Sequence, residues 1–319
     1  MKRRQLGDTG LQISEMALGA GGGSQLGLSR GASTEEATQV VRRALELGVN
    51  YVDTAPAYGT EEAVGGALAE VARDEVVVST KFRPRTPDGG MLPPDALRES
   101  LEESLRRLAT DHVDILFVHG VRPWEYDFCL EAYGPVLTEQ REAGKVRSIG
   151  VTESFANDPE HAMQQRALDD PIWEVLLTGF NVLNPTARSI LPRAAERGVG
   201  VVVMHAIRWL LTDVERLREG LGQLLDGSAD DVPRDRLRAA IQQLPVEGAD
   251  GVLPAAAYRF ALDALGVSSV LIGTGNVSHL EQNLTAVQSI HDNPLAAPLL
   301  EVLDGLLKGT AAGSGDRVT

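Results

Sequence analysis

The chain has almost no cysteine: Cys129 is the single one in 319 residues. It cannot close an internal disulfide, and its solitude excludes any zinc or iron–sulfur site built from several thiolates, so no such metal site is expected. Long apolar runs are missing as well. No stretch reaches the about 18 consecutive apolar residues that mark a membrane-spanning helix. The start, MKRRQLGDTGLQIS, is basic but has no apolar segment behind it, so it does not read as a secretory signal. Basic residues are in deficit: 30 Lys and Arg stand against 45 Asp and Glu, a formal net charge of −15. Nucleic acid and anionic membrane surfaces both need clustered cations, so neither is an expected partner. The expectation is a cytoplasmic protein acting on a small molecule, as a monomer or small homo-oligomer.

With 43% hydrophobic and 24% charged residues, the chain can bury a sizeable core. Short β-branched apolar runs alternate with amphipathic segments. The expected strands are Glu15–Leu18, Asn50–Asp53, Val76–Thr80, Val113–Val118, Val146–Val151, Val175–Thr178, Gly200–Val203 and Ser269–Ile272. Runs such as VVVST and VDILFV are apolar almost throughout, as in strands covered by helices on both faces. Between them, Ser33-Thr34-Glu35-Glu36 reads as a capping box ahead of an apolar stripe through Ala37, Val40, Val41, Ala44 and Leu45. Helices are expected to stop at Gly48, Gly144 and Gly198. Eight strands, each followed by a helix, predict an α/β fold of the (β/α)8 TIM-barrel type. A doubly wound open sheet is the competitor, but such a sheet more often has five to seven strands at this length. Two additions stand outside the eightfold count: an N-terminal β-hairpin turning at Asp8-Thr9-Gly10, and a long loop after strand seven from about Ala206 to Gly251. The expected organisation is a single barrel domain over 1–308 and a disordered tail over 309–319.

In such a barrel the active site lies at the C-terminal ends of the strands. Ionisable residues at those ends are Asp53, closing NYVD; Tyr58, five residues later; Lys81, closing VVVSTK; and His119, closing DILFVH. Each alone has a structural explanation, as a turn cap, a solvated strand end or a packed histidine. Four on the adjacent strands two, three and four form a chemical set. A phenol titrates near 10, so acid–base work near neutrality calls for a perturbing neighbour. An ammonium favours the phenolate, a carboxylate holds the ammonium, and an imidazole orients or polarises a carbonyl oxygen. This is a device for delivering a proton to a developing alkoxide. No side chain supplies the hydride, so a nicotinamide cofactor is implied.

The segments LGDTGLQIS, GVNYVDTAPAYGTEEAVGGAL, STK, VDILFVH, GKVRSIGVT and LIGTGNVSHLEQNL together make the chain resemble the aldo-keto reductases over essentially its whole length. The resemblance implies that Asp53, Tyr58, Lys81 and His119 are the catalytic tetrad, with Tyr58 as general acid. It also implies NADPH, or less readily NADH, stretched across the C-terminal face without a Rossmann motif. Gly19, Gly21 and Ser24 only approach G-x-G-x-x-G, with no helix directly behind them.

By the same resemblance Thr152 and Glu153 replace a Ser-Asn pair that holds the nicotinamide carboxamide. Leu177 stands where Gln is usual, Met204 where an aromatic ring stacks on the nicotinamide, and His205 follows it. Gly273, Thr274 and Gly275 lead into a helix and offer backbone N–H groups to a phosphate. His279, Gln282 and Asn283 fall on that helix's cofactor positions. Neither Lys nor Arg occurs in this loop, which predicts modest discrimination between NADPH and NADH. Ser24, Ala57, Trp124 and Trp209 are the candidate substrate-pocket residues. No Arg or Lys cluster is expected at the site, so a strongly anionic substrate is not favoured. The rivals to a carbonyl reductase are an aldose or alcohol dehydrogenase running in the oxidative direction, a catalytically weak nucleotide sensor, and a cofactor-independent lyase.

Overall fold

A computed structural model of the chain describes residues 1–227, 234–244, 251–296, 298, 299, 301 and 302. A two-stranded antiparallel hairpin, β1 (Arg3–Gln5) and β2 (Gln12–Ser14), precedes eight parallel strands. These are β3 (Met16–Gly19), β4 (Tyr51–Asp53), β5 (Val77–Phe82), β6 (Val113–Val121), β7 (Val146–Glu153), β8 (Val175–Gly179), β9 (Gly200–Met204) and β10 (Val267–Ile272). They close into a barrel in sequence order, with β10 returning to β3. The helices outside it are α1 (Thr34–Glu46), α2 (Glu61–Leu68), α3 (Asp95–Leu108), α4 (Tyr126–Glu142), α5 (Ala162–Ala167), α6 (Leu191–Glu196), α7 (Val214–Gly227), α8 (Arg234–Gln243), α9 (Val252–Leu262) and α10 (Val277–Ser289). Helices α7 and α8 belong to the long segment after β9. The expected domain end at 308 and the tail 309–319 lie outside the described residues.

Alternation along each strand divides the apolar residues into two cores. Inside the barrel, Ala17, Tyr51, Val77, Ile115, Phe117, Val175, Leu177 and Val202 pack with Leu6, Leu11 and Ile13 of the hairpin. The hairpin therefore seals the N-terminal end of the barrel, and the opposite end opens into a cleft. The larger cluster lies between strands and helices and includes Val52, Val78, Leu116, Val118 and the buried faces of α1, α3 and α9.

The local signals act as their chemistry requires. Ser33 Oγ accepts from Glu36 N at 3.2 Å, and Glu36 Oε2 accepts from Ser33 N at 2.8 Å, closing the capping box of α1. Gly48, Gly144 and Gly198 all have positive φ just past helix ends. Strand lengths differ from expectation where it matters. β5 runs on through Lys81 and Phe82, β6 runs past His119 to Val121, and β7 runs past Thr152 to Glu153. Polar residues at these ends continue the ladder because backbone pairing does not depend on side-chain polarity.

Candidate active site

The strand register assembles the first half of the site. Asp53 of β4 lies beside Ser79 of β5, and Lys81 of β5 lies beside Phe117 of β6. Lys81 is one alternation step above Ser79, and His119 one step above Phe117. Asp53, Lys81 and His119 therefore climb as a staircase on one side of the lumen, a consequence of barrel stagger. Tyr58 reaches the same place from a short 3-10 turn, Pro56–Tyr58, with its N–H bonded to Ala55 O at 3.0 Å. A Cβ on Gly21 would lie 2.6 Å from the Tyr58 ring, so only glycine lets the ring stand against that backbone.

Lys81 and Asp53 are buried together. Lys81 Nζ donates to both Asp53 oxygens at 2.6 Å and to Thr54 O at 2.8 Å. Ser79 Oγ donates to Asp53 Oδ1 at 2.6 Å and meets the Tyr51 hydroxyl at 3.0 Å. The ammonium stands 4.9 Å from the Tyr58 ring centroid. Tyr58 Oη and His119 Nε2 are 3.5 Å apart. Burial opposes the charge on Lys81, but Asp53 and Tyr58 together outweigh it and the pKa rises.

The effect on Tyr58 corrects the expectation of a lowered phenol pKa. Burial of the hydroxyl raises it; Lys81 pulls it down, Asp53 pushes it up again, and the net shift is upward. The lysine charge is countered by its own carboxylate, so it does not hold a phenolate in the resting site. Burial, then the cations Lys81, Arg83 and Arg85, push the His119 imidazole down to about 3. The resting site thus holds a protonated phenol and a neutral imidazole.

These groups head a cleft of about 1630 Å³ across the C-terminal face. That exceeds the roughly 300–1,000 Å³ of a pocket for one drug-sized ligand. Ser24, Ala57, Thr152, Glu153, Leu177, Met204, His205, Gly273, Thr274, Gly275, His279 and Asn283 border it together with Tyr58 and His119. Thr152 Oγ1 accepts from Gly120 N at 2.7 Å, which leaves its own proton to donate. Glu153 borders the cleft, but its carboxylate is wholly buried, taking the Gly179 N–H at 2.7 Å and meeting His161 Nδ1 at 2.6 Å. Burial raises its pKa, and His161 works against that shift. Asn181, beyond the end of β8, is occupied within the protein: Nδ2 donates to His205 O at 2.9 Å, and Oδ1 accepts from Leu183 N and Asn184 N.

Four candidates fall outside the cleft lining: Lys81, buried beneath it, and Gln282, Trp124 and Trp209. Gln282 is exposed and donates to Ser278 Oγ at 3.3 Å. Trp124 and Trp209 are 68% and 58% exposed, each with an arginine over its ring, Arg122 at 5.6 Å and Arg216 at 5.1 Å.

The largest miss is charge. Arg30, Arg83, Arg85, Arg208 and Arg216 all line the cleft, against the expectation that no cationic cluster would face it. They come from the segments after three different strands, β3, β5 and β9, so no run of basic residues in the sequence announces them. Ser79 and His161 were missed for a similar reason, since each acts through a partner on another element.

The Aldo/keto reductase family model matches residues 17–296. The chain is 32% identical over 299 residues to the D-threo-aldose 1-dehydrogenase of a Pseudomonas species, covering 84% of this chain and 88% of that one. It is 30% identical over 314 residues to the L-galactose dehydrogenase of Arabidopsis thaliana, covering 96% and 94%. Among solved structures, the holo form of aldo-keto reductase AKR11C1 from Bacillus halodurans superposes with a TM-score of 0.76 at 25% identity, with full coverage of both chains. The barrel, the strand-end group and these matches agree: the chain belongs to the aldo/keto reductase family, oxidoreductases that use nicotinamide cofactors on small carbonyl compounds and alcohols.

Proposed function

We propose that the protein reduces an aldehyde or ketone to an alcohol, with Tyr58 as general acid and NADPH as the favoured cofactor, NADH being accepted. The carrying observation is the resting state of the site: a protonated phenol beside a neutral imidazole, backed by a buried ammonium. In this reading it works in the cytoplasm on a small molecule, as a monomer or small homo-oligomer.

The residues present fit a dinucleotide. The loop from Gly273 to Asn276 leads into α10, where Asn276 Oδ1 caps His279 N at 3.1 Å. Together with the arginines of the cleft, its N–H groups suit phosphate. Thr274, Gly275, His279 and Asn283, with Arg30, Arg208 and Arg216, would hold the adenosine and phosphate portion. Thr152, Leu177, Met204 and His205 would border the nicotinamide. A bound reduced nicotinamide supplies hydride to the carbonyl carbon.

The chain's own work is on the oxygen. Tyr58 gives its proton to the carbonyl oxygen as negative charge develops there. His119, neutral through the physiological range, shares that oxygen by a hydrogen bond and orients it toward the phenol. Lys81 stabilises the phenolate that remains, and Asp53 with Ser79 holds Lys81 in place. Asp53 also keeps the ammonium from ionising the phenol too early, so the acid is present at the start of each turnover.

The arginines change the balance on cofactor choice, since a guanidinium recognises a 2′-phosphate better than neutral donors do. A hydrogen bond to a charged group contributes about 1.5–3 kcal/mol, so an NADPH preference of about ten- to a hundredfold is expected. Steady-state kinetics with both cofactors at equal salt, using an aldehyde panel, tests this reading. Equal use of NADH would remove the phosphate assignment, and no consumption of either cofactor would remove the reductase assignment. The names of the two dehydrogenase relatives favour a second reading, oxidation of an aldose. It uses the same residues in reverse and would show as reduction of NADP⁺ by aldoses at alkaline pH.

A further inference from the structure

Three cations recur at alternate positions along β5 and its extension: Lys81, Arg83 and Arg85. Alternation turns residues two apart to the same side of an extended chain. The intervening Phe82 packs outward, its ring centroid 5.1 Å from that of Tyr133. The first and third cations each have a buried carboxylate of their own. Lys81 has Asp53. Arg85 gives Nε to Glu125 Oε1 at 3.0 Å and Nη2 to Oε2 and to Gly120 O.

Arg83, between them, is exposed, and no described carboxylate lies within ion-pair distance of it. Its position is not arbitrary. Lys81 and Phe82 stand opposite Phe117 and Val118, so continuing the register sets Arg83 beside His119. It lines the cleft with Tyr58, His119 and Gly120. The other cleft cations without a described carboxylate partner, Arg30, Arg208 and Arg216, stand after β3 and β9, in segments that border the cleft with Gly27, Gly275 and His279. The phosphates of a dinucleotide therefore have their own partners, and Arg83 belongs to the reacting end.

We propose that Arg83 recognises a carboxylate on the substrate, so that the compound reduced beside Tyr58 is an oxo acid or an aldehyde acid, and its product a hydroxy acid. This rests on the carbonyl-reductase reading above. The substrate supplies the carboxylate that Arg83 lacks within the protein, in the bidentate geometry a guanidinium favours.

The test compares 4-carboxybenzaldehyde with methyl 4-formylbenzoate, which share ring and carbonyl but differ in charge. The wild-type protein is expected to prefer the acid. Arg83→Met should lower the ratio of kcat/KM values, acid over ester, by about ten- to a hundredfold, mainly through KM. Arg83→Lys should restore part of the ratio, because the charge returns without the fork. An unchanged ratio in Arg83→Met would overturn the proposal, as would a loss of NADPH affinity that lowers both substrates equally. Calorimetric titration of 4-carboxybenzaldehyde separates the two claims. If the wild type turns over neither aldehyde but binds the acid, and Arg83→Met does not bind it, the carboxylate site stands and the reductase reading falls. Equal binding by both proteins, or none by the wild type, overturns the site.

Discussion

Asp53, Lys81 and His119 stand on neighbouring strands whose pairing sets them one step apart, and each polar atom of the buried pair is satisfied within four or five residues of those strand ends. The opposite wall of the cleft, from Thr152 to His205, is held differently. Glu153 is tied to His161 on the following loop and to the Gly179 N–H on β8, and Asn181 holds the carbonyl of His205, which has φ 60. A non-glycine residue in that region is strained and persists only where surrounding contacts enforce it. The side proposed to deliver the proton is thus a product of strand register. The side proposed to face the nicotinamide is a product of long-range side-chain contacts, and by the resemblance it carries Leu177 where Gln is usual and Met204 where an aromatic ring is usual. The two walls meet where β6 pairs with β7, and the Gly120 N–H bond to Thr152 Oγ1 joins them beside His119.

The sharpest way to break this contrast is Tyr58→Phe. It removes the only proposed proton donor while leaving the other wall intact. General acid catalysis contributes about 10²–10⁴-fold, so turnover should fall by at least that order while nucleotide affinity stays within a few-fold. A variant retaining a tenth of wild-type activity would place the proton donor elsewhere.

Gly21→Ala tests whether the position of the ring matters as much as its chemistry. The added methyl would sit 2.6 Å from the Tyr58 ring, so the phenol must move. A misplacement of about 1 Å can cost about a hundredfold in rate, and the loss should appear in kcat without loss of the folded state. Circular dichroism and kinetics together check this, and unchanged kcat would mean the ring has freedom it should not have.

On the other wall the expected effect is smaller and of opposite sign. Met204→Tyr adds an aromatic face where the cleft has a thioether, worth about 0.5–1.5 kcal/mol, or a few-fold to about tenfold in Kd for the nucleotide. Weaker or unchanged binding in a fluorescence titration would show that the nicotinamide does not lie against residue 204.

The smallest effect concerns pH. The buried imidazole of His119 takes up a proton only at about 3, whereas in the unfolded chain it does so near its ordinary value of about 6.5. The unfolded state therefore binds more protons between those values. The stability owed to this group is full above about 6.5 and is lost as pH falls toward 3. Urea unfolding of His119→Gln should show a shallower loss over that interval than the wild type. An identical slope would mean that His119 is not the group responsible.

Much of the fold was legible because periodicity and punctuation are local. The apolar runs, the Ser33 to Glu36 capping box and the glycines at helix ends each report on a few neighbouring residues, and backbone geometry turns them into elements. The grouping of Asp53, Tyr58, Lys81 and His119 was legible for the same reason, since a polar residue closing an apolar strand is a local signal. The upward shift of the Tyr58 pKa was not legible, because it follows from burial and from Asp53 countering Lys81 across two strands. Nor were the arginines of the cleft, which the chain brings together from positions as distant as 30 and 216.

The sequence by itself determined which residues form strands and helices, and which four ionisable groups stand at adjacent strand ends. The tertiary structure alone decided how those groups are protonated, that Glu153 is turned away to His161, and that a molecule of net charge −15 presents arginines around its cleft. The physical reason is range: hydrogen-bonded elements answer to near neighbours in the chain, whereas burial and charge answer to everything within a few ångströms in space.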